Sequence, residues 1–449
     1  MSPSVAASGA VVVQGCDMLE VTSSGECVVA DGRDLLVRDG TIESIYPSGG
    51  PVPAECTVID GAGLLATPGL VNAHTHSPMV LFRGAAEDVP VESWFNDRVW
   101  PMESNLTERD VLLGAHLACA EMISSGVTAF ADHYFFADQI AEAVTLSGIR
   151  ANIAPTYFSS QGRSALEATV DFAERWHGAA GGRLSVSMGP HAPYTVNDDD
   201  LTVIADHARR LGIGVHIHAA EHLEQTVSSL ARRGITPIEV LRRTGILDAG
   251  ALIAHGCGIV TADYDTLGEY ADQTAVASCP KVYLKHALFP LTPVKALLEL
   301  GVTVAAGTDG AAGHNTLDVW EAMRLIALTQ KQATRDAMFL TLSDTLRLAM
   351  TGGAKAARLS PGGLEVGARA DIVLLDLSGA HHQPLHDPRA ALVYGVRASD
   401  VQTVLVAGKV LMHDRKLLTV DLPAVIDEIT DRMKDLTVTT GAAVQFYDP

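Results

Sequence analysis

Pro68-Gly69-Leu70-Val71-Asn72-Ala73-His74-Thr75-His76 is the stretch on which the reading of the fold turns. The run Leu64–Asn72 carries no charged residue and reads as a buried strand. It feeds directly into Ala73-His74-Thr75-His76. Successive strand residues face opposite sides, so residues two apart face the same way. His74 and His76 can therefore turn together toward one ion. A single His-x-His is a weak metal signal, so its weight depends on whether other strands end the same way.

Seven further runs have the same buried, strand-like character: Gly126–Asp132, Arg150–Thr156, Leu184–Gly189, Gly214–Ala219, Ala251–His255, Thr274–Ser278 and Val302–Thr308. Helical stretches alternate with them. Thr107 followed by Asp110 has the form of a capping box ahead of the apolar run Val111–Ile123. Leu317–Leu328 shows helical spacing with distinct apolar and polar faces. Eight strand–helix units over about 300 residues predict an α/β fold, a (β/α)₈ TIM barrel. A doubly wound sheet is the competitor, but no G-x-G-x-x-G follows the first strand.

A barrel of this kind carries its active site at the C-terminal ends of the strands. The fourth strand runs into Gly189-Pro190-His191. The fifth carries His216-Ile217-His218 and then Glu221. The sixth ends at His255, and the eighth ends at Thr308-Asp309. His216 and His218 share a face by parity, so one of them can be a supporting or core histidine. Glu221 alone would read as a helix-start carboxylate. Asp309 closes an otherwise apolar strand, where a carboxylate is costly unless it meets a cation or several donors. Three imidazoles and a carboxylate suit one Zn²⁺, with Fe²⁺ or Mn²⁺ as alternatives. Such an ion lowers the pKa of water to about 7. Glu221 is then a candidate proton shuttle, and Asp309 can accept a proton from the attacking water.

The two ends of the chain read differently. Leu35–Arg38 and Ile42–Ile45 flank Asp39-Gly40-Thr41, a hairpin signal because both turn residues tolerate positive φ. Ala370–Leu375 is strand-like, and Val404–Val406 meets Lys409–Leu411 across Ala407-Gly408. These segments predict one small β-sandwich domain built from residues 1–63 and 364–449, with residues 64–363 forming the barrel.

Composition narrows the function classes. The chain has 449 residues, is 47% hydrophobic and 5% aromatic, and carries a formal net charge of −21. So acidic a surface repels phosphate backbones and argues against nucleic-acid or anionic-membrane partners. No run of ~20 apolar residues spans a bilayer. Cys16, Cys27, Cys56, Cys119, Cys257 and Cys279 form no C-x-x-C pair. A cytoplasmic protein with reduced thiols is expected.

Taken together and in this order, six segments resemble the amidohydrolase superfamily. They are Pro68–Met79, Leu81–Asp88, Gly189–Tyr194, His216–Glu221, Ala254-His255-Gly256 and Gly307–Ala312. The resemblance covers nearly the whole chain. It lies in the deaminase and chlorohydrolase branch, nearest the S-adenosylhomocysteine/5′-methylthioadenosine deaminases. It implies that His74, His76, His218 and Asp309 bind the metal, that Glu221 protonates a ring nitrogen, and that His255 orients the attacking water. Trp94, Glu103 and His191 match substrate-holding positions, with Glu103 on the ribose hydroxyls. The loop Tyr157–Arg163 retains one of the family's two arginines, as Arg163, and Ser278–Lys285 departs from the family's stretch after strand seven.

The implied activity is hydrolytic deamination of an amino-substituted heteroaromatic ring, most simply a purine nucleoside. Alternatives on the same metal set are triazine-type displacement of chloride or an amine, and deamination of guanine, a pterin or another amino-heterocycle. A binuclear amidase would need a bridging lysine on strand three or four, and the first lysine of the chain is Lys281. A non-catalytic scaffold is expected to have lost ligands, and every one is retained. The H-x-E with P-C-x-x-C signature of base-editing zinc deaminases is absent. The expected partner is a small heterocyclic substrate, and a homo-oligomer is expected from the family alone.

Overall fold

The computed structural model describes residues 9–22, 24–360 and 362–438. The apolar run Leu64–Asn72 is not one strand. Leu64–Pro68 lies in the terminal sheet, antiparallel to Ile372–Asp376 and parallel to Asp17-Met18, whereas Leu70–Thr75 is the first strand of the barrel. The break falls at Gly69, where a Cβ would sit 2.0 Å from the Thr128 hydroxyl oxygen. No side chain fits there, so glycine lets the chain pass from one sheet into the other.

Seven further parallel segments complete the barrel: Val127–Tyr134, Arg150–Tyr157, the split Leu184–Val186 and Gly189-Pro190, Val215–Ala219, Ala251–His255, Thr274–Ser278 and Thr303–Ala306. They form two hydrogen-bonded sheets. The sheets meet on one side through a parallel bridge between Met188 and Val215. On the other side, the Thr308 and Asp309 amides donate to the His74 carbonyl at 3.1 and 2.9 Å. The fourth strand divides around Ser187-Met188. Just beyond, a Cβ on Gly189 would sit 2.4 Å from the Pro155 carbonyl oxygen.

The helices follow from their local sequence. Thr107 caps Glu108–Ser124: its hydroxyl accepts from the Asp110 amide, and the Asp110 carboxylate takes the Thr107 amide in return. Asp318 caps Val319–Thr334 through the amides of Trp320 and Glu321. Most of the buried apolar side chains lie in one continuous core shared by strands and helices. A second cluster of small residues, among them Ala73, Ala131, Ala277 and Ala305, packs with Ala354 and Ala356 of the helix Thr351–Ala356.

Both termini build a separate nine-stranded sheet. Cys27–Arg38 turns into Thr41–Pro47 at Asp39-Gly40, with φ of 49° and 79°. Val401–Val406 turns into Lys409–His413 at Ala407-Gly408, with φ of 48° and 72°. The two hairpins touch: a Cβ on Gly40 would meet the Ala407 carbonyl at 3.0 Å. The sheet thus curls over one core that includes Val13, Leu35, Ile372 and Leu405. A buried ion pair ties it to the barrel, with the Arg150 guanidinium on both Asp371 oxygens at 3.0 Å. Among the described residues no helix is long and apolar enough to cross a membrane.

Candidate metal centre and active site

Three histidines reach one point from two strands, and each is held from behind. His76 Nδ1 lies 2.5 Å from the His133 carbonyl and His218 Nδ1 lies 3.0 Å from the His191 carbonyl. A carbonyl only accepts, so both Nδ1 atoms carry the proton and both Nε2 atoms present a lone pair. These two Nε2 atoms stand 3.3 Å apart. His74 Nδ1 is 2.8 Å from His216 Nε2. His216 therefore backs up His74 and stays out of the cluster itself. His74 Nε2 is buried and has no hydrogen-bond partner. It points toward Asp309 Oδ1, 3.7 Å away, which is also 3.2 Å from His76 Nε2.

Asp309 and His255 both sit just past strand ends in left-handed backbone, with φ of 66° and 75°. Non-glycine residues pay for that conformation, and it recurs where a side chain must be aimed. The Gly310 amide donates to Asp309 Oδ1 at 2.7 Å. Burial opposes the charged carboxylate of Asp309, but His76, His255 and the Gly310 amide outweigh it and hold the pKa near about 2. Burial likewise opposes a charged His76, yet Asp309 lifts it to about 9, so without an ion a proton takes up the Nε2 lone pair that a metal would otherwise use. The carboxylate thus recruits a positive charge. His74, His218 and His191 are driven well below the usual histidine range by burial first and then by neighbouring histidines, His133 and His76 among them.

The donor set fits a divalent ion. The candidate ligand atoms of His74, His76 and Asp309 lie within 4.8 Å of one another, as do those of His74, His218 and His255. An orphaned buried nitrogen, an ionised carboxylate and imidazoles back-bonded to carbonyls are what a metal site requires.

The other expected residues surround this point. Burial raises the Glu221 carboxyl to about 7, and the Asp309 charge adds to the shift. Gln225 grips Glu221 twice, its side-chain oxygen taking the Glu221 amide at 2.9 Å and its nitrogen donating to Oε2 at 3.0 Å. His255, lowered to about 4 by burial, stays neutral. Trp94, Glu103 and His191 all line the same cavity. Glu103 is raised to about 7 by burial and accepts from the Tyr134 hydroxyl at 2.5 Å. The His191 ring stacks on Phe158 with centroids 4.6 Å apart. Arg163 is not among them. It starts the helix Arg163–Trp176 and faces Asp200 at 3.6 Å with 55% of its side chain exposed, away from the cavity.

Sequence reasoning missed His133, Tyr134 and Phe135, which also line the cavity. The second strand was expected to end at Asp132, but it runs on to Tyr134. Carrying that strand two residues further would have exposed the same signal, polar groups at a strand's C-terminal end.

The amidohydrolase family profile matches residues 65–411. The chain belongs to the amidohydrolase family. This amidohydrolase is 38% identical to a 5-methylthioadenosine/S-adenosylhomocysteine deaminase of Moorella thermoacetica, over 95% of this chain and 99% of that protein. It is 36% identical to a 5′-deoxyadenosine deaminase of Methanosarcina barkeri, over 93% and 95% respectively. Among solved structures, an adenosine deaminase from Xanthomonas campestris with bound zinc matches with a TM-score of 0.87. It is 30% identical and covers 94% of this amidohydrolase and 98% of its own chain.

Proposed function

We propose that this amidohydrolase is a metal-dependent deaminase of purine nucleosides. The observation that carries the reading is a half-buried Glu221 carboxyl in one cavity with Glu103, His76, His218 and Asp309, backed by His74. His74, His76, His218 and Asp309 would hold one divalent ion, Zn²⁺ in the simplest case. When bound, that ion supplies the Lewis acidity that makes hydroxide available from water near neutrality.

The protein's own groups do the rest. Glu221 keeps a protonated fraction near neutrality because burial raises it to about 7. Gln225 fixes its direction, so it delivers that proton to the ring nitrogen beside the amine-bearing carbon. Water oxygen adds to that carbon. Asp309 takes one water proton and passes it to the amine, the C–N bond breaks and ammonia leaves, and the remaining hydroxyl proton returns to Glu221 as the ring becomes oxo. His255, neutral and buried, orients the water. Glu103 accepts from the ribose hydroxyls, and Trp94 and His191 pack the nucleoside in place.

In this reading residues 64–363 perform the chemistry, and residues 1–63 with 364–449 form the small domain that braces the barrel, with Leu64–Pro68 as the shared strand. Six free cysteines suit a reducing compartment such as the cytoplasm.

The test is ammonia release by zinc-loaded protein from S-adenosylhomocysteine, methylthioadenosine and adenosine in parallel, with guanine, a pterin and an aminotriazine as further arms. Turnover of one or more nucleosides above the other heterocycles is expected. Turnover confined to the free bases, pterin or triazine would overturn the nucleoside assignment.

A further inference from the structure

Beyond Glu103 the cleft opens into a second cavity of about 370 Å³. Trp100, Glu103, Tyr134, Phe135, Thr156 and Phe158 line both cavities, so the two adjoin. The far walls add Leu106, Phe136 and Pro155, with Ser104 and Gln161 as uncharged polar groups. Among the described residues no lysine, arginine or histidine lines this annex, and Glu103 is the one charged group that does. The nearby Arg163 is turned toward Asp200, outside both cavities.

The layout has a direction. Glu221, His255 and Asp309 line the metal end, Glu103 lies at the junction, and the aromatic annex lies beyond it. With the reacting ring at Glu221 and the ribose at Glu103, the 5′ substituent of a nucleoside is sent into the annex. We infer that the preferred substrates carry an uncharged apolar arm on the 5′ carbon, larger than methyl, and that a zwitterionic arm of the same length is selected against. This rests on the nucleoside-deaminase reading above.

Two physical terms drive the choice. Each methylene moved from water onto aromatic walls gains about threefold in binding, and a methylthio group fills only a small part of 370 Å³. An amino-acid carboxylate entering the same space loses water and meets no cation, with the Glu103 carboxylate as its one charged neighbour.

The matched comparison is 5′-butylthioadenosine against S-adenosylhomocysteine, whose arms have nearly equal length and differ in the ammonium and carboxylate groups. With the zinc-loaded enzyme, kcat/KM for the butylthio compound, with three more methylenes, should exceed that for methylthioadenosine by about 30-fold. It should exceed that for S-adenosylhomocysteine by about 10- to 100-fold. Phe136 is 44% exposed, so Phe136→Arg offers the annex a cation without burying it. That substitution should narrow the butylthio-to-homocysteine ratio at least about fivefold. Equal or better turnover of S-adenosylhomocysteine by the wild-type enzyme would overturn this inference and leave the deaminase intact. A folded Phe136→Arg enzyme with an unchanged ratio would also overturn it. If that variant does not fold, the wild-type series decides alone. Absence of ammonia from every nucleoside would sink the nucleoside reading itself, and this inference with it.

Discussion

At the barrel mouth, His74 gathers with His76 and Asp309 and again with His218 and His255. In the C-terminal region, His381 and His382 gather on Asp400. By residue type and spacing the two regions look alike, since in each group the potential ligand atoms lie within 4.8 Å of one another. They differ in what the nitrogens are already doing. At the mouth, His76 and His218 spend Nδ1 on backbone carbonyls and aim bare Nε2 atoms at each other, 3.3 Å apart. At the C-terminal cluster, His381 and His382 spend Nε2 on Asp400 Oδ2 at 3.1 and 3.0 Å, and the Arg397 amide takes the same oxygen at 2.8 Å. One arrangement faces lone pairs inward and needs a cation. In the other the Nε2 atoms are spent on a carboxylate, and the His382 Nδ1 left buried without a partner is not one of the nitrogens that face Asp400. The number of ligand-type residues does not separate the two; the direction of their unspent lone pairs does.

The sharpest way to break this comparison is to count metal. One equivalent of zinc per chain is expected by elemental analysis, and a second tightly held equivalent would show that the C-terminal cluster is also a site. His218→Ala or Asp309→Asn should lose the bound ion and cut turnover at least about 10⁴-fold. A variant of either kind that keeps its ion and its rate would remove the distinction from the other side.

Glu221→Gln should have the next largest effect. It retains the ligand set, so metal content should stay at the wild-type level while kcat falls about 10³-fold. Near-normal turnover would show that the proton reaches the ring by another group. The same residue sets a pH dependence. Burial raises its pKa to about 7, and the protonated form is the donor. Activity should therefore hold below about 7 and decline as pH rises through it, with metal content constant across the range. A profile flat from pH 6 to about 9 would count against Glu221 as the donor.

These differences explain what the sequence could and could not disclose. His74, His76, His191, His218, Glu221, His255 and Asp309 were legible because a barrel forces its site to the strand ends, and each of these residues marks such an end. The hairpins at Asp39-Gly40 and Ala407-Gly408 were legible because turn chemistry is local. The strand break at Gly69 was not. It depends on Thr128, 59 residues on in the chain, coming so close that a Cβ would sit 2.0 Å from its hydroxyl. Arg163 was expected to face the substrate. Its position at the start of a helix, with Asp200 in reach, is a matter of side-chain direction that spacing does not encode. The apolar annex is illegible for the same reason, since Leu106, Phe136 and Phe158 come from three separate loops.

The smallest expected effect tests the C-terminal cluster as a structural knot. His382→Ala removes one donor from Asp400 and should cost roughly 1–3 kcal/mol of stability by chemical denaturation, with zinc content unchanged and deamination within about twofold of wild type. Asp400 adds a pH signature. Burial opposes its charged form, but the Arg397 amide and the two histidines outweigh this and hold its pKa below the usual aspartate value. A carboxylate depressed in the folded state contributes stability above its unfolded pKa of about 3.9 and loses that contribution as pH falls through the folded value. The stability gap between wild type and Asp400→Asn should therefore be full near neutrality and close as pH drops below about 4. A gap that instead tracks added zinc at neutral pH would mean the cluster binds the ion after all, and lone-pair direction would then fail as the criterion that separates the two regions.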